Sequence, residues 1–157
     1  MSELRSVQLA IELATRDRDE LAKTVARVER SLAFVHEQMA QLEGYAAETD
    51  ARWIGSAERN VSPELMRHHY QFMDRLQQAI SMQSGAIVST GRQLEQAKSN
   101  LLRAEFRLSG LNQVLKNRQA VLQRKEMRRE QRQTDEFAAM QHARNRALPM
   151  SGEKHDY

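Results

Sequence analysis

The side chains best suited to chemistry near neutral pH are five histidines: His36, His68, His69, His142 and His155. A zinc site on a helix needs the HExxH arrangement, and a structural metal site needs Cys and His at short fixed spacings. None of the five has either setting. Glu64 and His68 stand one helical turn apart, but an acid at 64 is accounted for by the positive end of a helix starting there. The sequence has no cysteine, so thiol nucleophiles, disulfides and Cys-type metal sites are excluded. Its glycines are scattered rather than gathered into a loop that cradles phosphate. The reading is therefore not an enzyme, with no metal and no cofactor. The chemistry left is non-covalent recognition by surfaces.

Those surfaces must be carried by helices. Only 5% of the 157 residues are aromatic, two are proline and 29% are charged. That is the profile of long helices or a coiled coil rather than a compact globule, at a length that fits one domain. The first residues, MSELRSVQLAIELATRDRDEL, carry charges throughout and suit neither a signal peptide nor a membrane span. The expectation is a soluble protein without direct membrane insertion. The lack of cysteine suits a reducing compartment.

A heptad written from Leu4 puts Leu4, Ile11, Arg18, Val25, Leu32, Met39, Ala46 and Trp53 at a. It puts Val7, Ala14, Leu21, Val28, Val35, Leu42 and Thr49 at d. Thirteen of these fifteen are apolar, a seam that predicts a long helix made for a coiled-coil partner. The pattern breaks at IGSAERNVSPEL. Gly55 reads as a helix stop, Ser62 as an N-cap and Pro63 as the first helical residue. A second seam follows without a miss: Met66, Met73, Ile80, Ile87, Leu94, Leu101, Leu108, Leu115 and Leu122. Its companion position is more mixed, with His69, Leu76, Gln83, Thr90, Ala97, Ala104, Leu111, Arg118 and Lys125.

Two seams joined by a short turn predict an all-α fold, a long antiparallel two-helix coiled coil with a C-terminal helical overhang. The expected layout is one domain: helix 1 over about 3–53, a turn over about 54–62, helix 2 over about 63–146 and a frayed tail over 147–157. Pairing Met39 with Leu76 and Leu42 with Met73 sets Leu4 against Leu111. Everything after about Leu115 then lacks an internal partner, roughly 30 residues or about 45 Å of helix. Between Lys116 and Arg146 nine Lys and Arg face four acids, a net of +5 in a chain whose total is +3. This overhang reads in three ways: a solvated charged tail, a phosphate-binding basic region, or a helix that finishes its packing inside a partner. Phe137 and the alanines beside it favour the third, a slim helix able to enter a tight hole.

A second surface lies at the edge of the seam. Gln38 and Tyr45 occupy g positions of helix 1, and Phe72 and Ala79 occupy g positions of helix 2. Leu42 and Leu76 adjoin them at d. In the register above, these six form one contiguous edge. Aromatic residues at positions that are usually polar either cap the core or await a partner.

With these pieces in place the chain resembles the FliJ family of the flagellar type III export apparatus, over residues 4 to 147. The resemblance rests on EQMAQLEGY (Gln38, Leu42, Tyr45), HHYQFMDRLQQAI (Phe72, Leu76, Ala79) and EQRQTDEFA (Gln131, Asp135, Glu136, Phe137). Gln83 departs from the His that the family's patch can carry, Thr49 from an aromatic, and Gln133 and Thr134 from a basic and a bulkier residue. The resemblance implies a stalk similar to that of rotary ATPases, its tip entering the ring of the export ATPase FliI. It assigns that contact to Arg124, Lys125, Arg128, Arg129, Arg132, Asp135, Glu136 and Phe137. It assigns contact with the export gate protein FlhA to Gln38, Leu42, Tyr45, Phe72, Leu76 and Ala79. It further implies work with export chaperones, a free monomer, no nucleic acid, and a cytoplasmic place at the inner face of the inner membrane beneath the flagellar basal body. A stalk protein of a virulence-type secretion system and a generic coiled-coil tether share the architecture.

Overall fold

A computed structural model describes residues 2–57 and 61–147, with side chains over 4–55 and 61–147. It consists of two helices, α1 over Ser2–Ala57 and α2 over Pro63–Ala147, packed against each other as a hairpin. The expected frayed tail lies, from residue 148 on, outside the described residues.

The heptad seams are what the helices bury. In α1 every a and d position from Leu4 to Trp53 is buried or half-buried, Arg18 and Thr49 included. In α2 the same holds at every seam position from His69 to Leu115. Arg18 occupies a core position by laying its stem along the seam while its guanidinium grips Asp19, Nη2 to Oδ1 at 2.9 Å and Nε to Oδ1 at 3.0 Å. The core is thin. Val7, Ala14, Leu76, Leu94, Ala97, Ala104 and Leu108 are its buried members, and no described side chain is completely sealed from solvent. A pair of helices has only one stripe each to hide, so each layer of the seam remains open at its edges.

The start of α2 follows from its sequence. Ser62 Oγ accepts a hydrogen bond from Leu65 N at 3.3 Å, and Ser62 O accepts from Met66 N at 3.2 Å. That is an N-cap followed by Pro63 at the first helical position, where the missing N–H costs nothing. The end of α1 differs from expectation. Gly55 does not stop the helix, which continues to Ala57. A glycine ends a helix by turning left-handed, and no described glycine has a positive φ.

That longer helix moves the register. Trp53 stacks on His69, ring centroids 4.0 Å apart and planes within 5° of parallel. The expected pairing had set Trp53 level with residue 62, so the true pairing is displaced by one heptad. Gln83 Nε2 reaches Gln38 Oε1 at 3.1 Å, where the expected edge had set Gln38 beside Ala79. With α1 ending at Ala57 and α2 starting at Pro63, partners across the hairpin are correspondingly later in α2.

The chain divides into two compact units, Leu13–Leu108 and a second that joins Met1–Glu12 to Ser109–Tyr157. In the first lie Trp53, His69 and most of the buried seam. In the second Val7 is buried, Leu111, Leu115 and Ala120 are half-buried, and every described residue from Val121 to Ala147 is exposed.

Gly85 lies in the interior of α2, and a Cβ placed there would meet nothing within 4 Å. Gly85→Ala is therefore expected to stabilise the chain by about 1 kcal/mol, read as a rise of roughly 3 °C in Tm.

Candidate interaction surfaces

Seven cations gather on one side of the exposed part of α2. At 100° per residue, Arg118, Arg124, Lys125, Arg128, Arg129, Arg132 and Arg146 fall within an arc of roughly 140°. Glu126 and Glu130 lie on the opposite side with Lys116 and Arg144, whereas Asp135 and Glu136 fall within the cationic arc itself. The strip prolongs the a/d stripe, so that the positions buried up to Leu115 are taken over by cations. No residue of this run is in an ion pair; among the described residues the ion pairs are Arg18–Asp19 and Lys23–Glu20. Farther on, Gln131 Nε2 donates to Asp135 Oδ1 at 3.3 Å and Thr134 Oγ1 to Glu130 O at 2.9 Å. These are local bonds along one helix and leave Glu136 and Phe137 facing solvent, with Phe137 63% exposed. A helix in this condition has charge and apolar area to offer but no contact of its own to lose.

The edge patch lies within the Leu13–Leu108 unit. Tyr45 and Phe72 are 61% and 50% exposed. Gln38 is exposed, Leu42 and Ala79 are half-buried, and Leu76 is buried in the seam. The corrected register staggers the two aromatic residues. Phe72 and Tyr45 share the same edge but are separated along the axis by about five residues, roughly 7 Å, instead of standing side by side. Beside Tyr45 an open hollow of about 350 Å³ is lined by Gln41, Gly44, Tyr45 and Glu48, where Gly44 supplies no side chain.

Sequence reasoning missed two residues here, and the bonds of a third. Phe34 and Met82 are 59% and 78% exposed and flank Gln38 and Gln83. Gln83 itself, a polar residue in a seam position, bonds across the hairpin to both Val35 O and Gln38. The available signal was the heptad: Phe34 and Met82 both occupy c, the position next to g on a helical wheel.

The described histidines do not converge. Among the described residues no group of three or more His, Asp or Glu could hold a metal ion, and His69 is engaged in the Trp53 stack, with Tyr70 edge-on to it at 6.0 Å. No described helix is long and apolar enough to cross a membrane. The arrangement offers two exposed surfaces, one cationic and helical, the other apolar with a polar amide at its centre. A search of curated proteins finds no match. The sequence model of one family, described as flagellar FliJ protein, matches residues 4–147.

Proposed function

The chain belongs to the FliJ family of flagellar export proteins, and on that premise we propose that it is the non-enzymatic stalk of flagellar type III protein export. In this reading the exposed end of α2 enters the ring of the export ATPase FliI. The edge patch of Gln38, Leu42, Tyr45, Phe72, Leu76 and Ala79 contacts the export gate protein FlhA, and the chain also assists export chaperones. It acts in the cytoplasm, at the inner face of the membrane beneath the basal body.

The observation that carries this reading is the run from Val121 to Ala147, helical throughout and exposed at every residue. An isolated helix gains little from propensity alone, so a stretch of this length, with cations gathered on one side as far as Arg132, is suited to packing in another molecule. Arg124, Lys125, Arg128, Arg129 and Arg132 supply long-range attraction to an acidic ring lining, which acts mainly on association rate and salt sensitivity. Asp135, Glu136 and Phe137 supply the contacts nearest the tip. The test is co-purification: tagged full-length chain from flagellated cells should bring down the export ATPase, and its absence at low salt would sink the stalk role.

The gate contact has its own test. Phe72→Ala is expected to weaken binding to the gate protein roughly five- to tenfold, the range of an interface aromatic, with Tm changed by less than about 2 °C because half of the ring is already in water. A large fall in Tm would make Phe72 a core residue instead.

A further inference from the structure

We infer that Gln83 is a positioning residue that fixes the polarity of Gln38, so that the edge patch presents a hydrogen-bond donor to its partner and never an acceptor. The inference rests on the gate-contact reading above and specifies what that partner must offer.

Gln83 stands at a seam position of α2 where neighbouring heptads carry Leu76 and Thr90, and it is half-buried. Its Nε2 donates to Val35 O at 2.8 Å. A backbone carbonyl can only accept, so the group turned toward Val35 must be the NH₂ end of the amide. That fixes the orientation of Gln83 without reference to any other side chain. The same nitrogen reaches Gln38 Oε1 at 3.1 Å with its second N–H. Only an oxygen can receive that hydrogen, so Gln38 is held with its oxygen inward and its own NH₂ outward. Gln38 Nε2 makes no hydrogen bond among the described residues, and Gln38 is exposed. A chain of two bonds thus carries the polarity of one main-chain carbonyl to the surface. Without it, an exposed glutamine would rotate freely and show either end.

The surroundings give this polarity consequence. Phe34, 59% exposed, lies one turn before Gln38, and Met82, 78% exposed, precedes Gln83. A partner docked across them would exclude water from the outward amide. A mismatched group left unpaired there costs far more than a good hydrogen bond gains. The surface fits a protein partner that sets an acceptor oxygen between apolar groups.

The test uses the full-length chain and the purified export gate protein. Gln38→Glu keeps the size of the side chain and still accepts from Gln83, yet shows only oxygen outward; binding should weaken roughly tenfold or more. Gln83→Glu places an acceptor inside, so Gln38 turns its NH₂ inward and its oxygen outward, with a similar loss. Gln83→Met removes the inner bonds and frees Gln38 to rotate, with a loss of about two- to threefold. Because Gln83→Glu also sets a carboxylate beside the Val35 carbonyl, the decisive comparison is a cycle. In a Gln38→Met background, Gln83→Glu should change gate binding no further, whereas a merely structural effect would persist there. Gln38→Glu binding within twofold of the unaltered chain, or an undiminished Gln83→Glu effect in the Gln38→Met background, overturns the inference alone. Failure of the unaltered chain to bind the gate removes the gate reading and this inference together.

Discussion

Removing residues 123–147 should abolish association with the export ATPase and leave the unfolding transition of the remaining chain almost where it was. The reason is that nothing in this stretch is buried: every residue from Val121 to Ala147 is exposed, so its removal deletes no side chain that the rest of the fold relies on. Substitutions in such surroundings usually stay within about 0.5 kcal/mol, and a truncation there should shift Tm by only about 1–2 °C. Helicity per molecule would fall in proportion to the helix lost. The milder triple change Arg128→Gln, Arg129→Gln and Arg132→Gln should weaken association and flatten its dependence on salt. A large loss of thermal stability on truncation would mean that the segment packs on its own chain, and the stalk role would go with it.

The opposite outcome is expected at Leu94. It is buried within the Leu13–Leu108 unit, 9% exposed, in a core without any completely sealed side chain. Leu94→Ala should cost about 2–4 kcal/mol, the transfer of the lost methyl and methylene groups plus the cavity left behind. For a chain of this length that is a fall of roughly 5–12 °C in Tm. Val88→Ala, at a 52% exposed position on the same helix, is the control and should be close to neutral. Thermal melts followed by circular dichroism separate the two cases. Equal effects at 94 and 88 would show that the seam does not hold the hairpin together as described.

These two expectations follow from features that differ in how openly the sequence displays them. The seam is written in residue type at a fixed period, and the burial along α1 and α2 follows it residue by residue from Leu4 to Trp53 and from His69 to Leu115. The weakening of the seam beyond Leu115 is visible too, because Arg118, Lys125, Arg129 and Arg132 take a and d positions and Leu122 alone among them remains apolar. Register is another matter. It depends on where the turn is centred, and that rested on reading Gly55 as a stop. Residue type alone does not decide whether a glycine turns left-handed; here it continues the helix, and the pairing moves by a heptad. The stagger of Tyr45 and Phe72 is the direct result.

The bond from Gln83 to Gln38 and Val35 was hidden for a related reason. At a seam position a lone glutamine reads as a weak point, and only the corrected register brings it level with Gln38. Polar residues at such positions commonly specify register at some cost in stability, and Gln83 is placed to do so. The Trp53–His69 stack marks the same offset nearer the turn.

That stack has a practical corollary. Trp53 is the sole tryptophan of the chain, and its indole lies face to face with an imidazole close to where α1 ends. Intrinsic emission is thus a local probe, tied to one ring pair in the Leu13–Leu108 unit. Opening of the helices at their joined end would change the colour and brightness of that light.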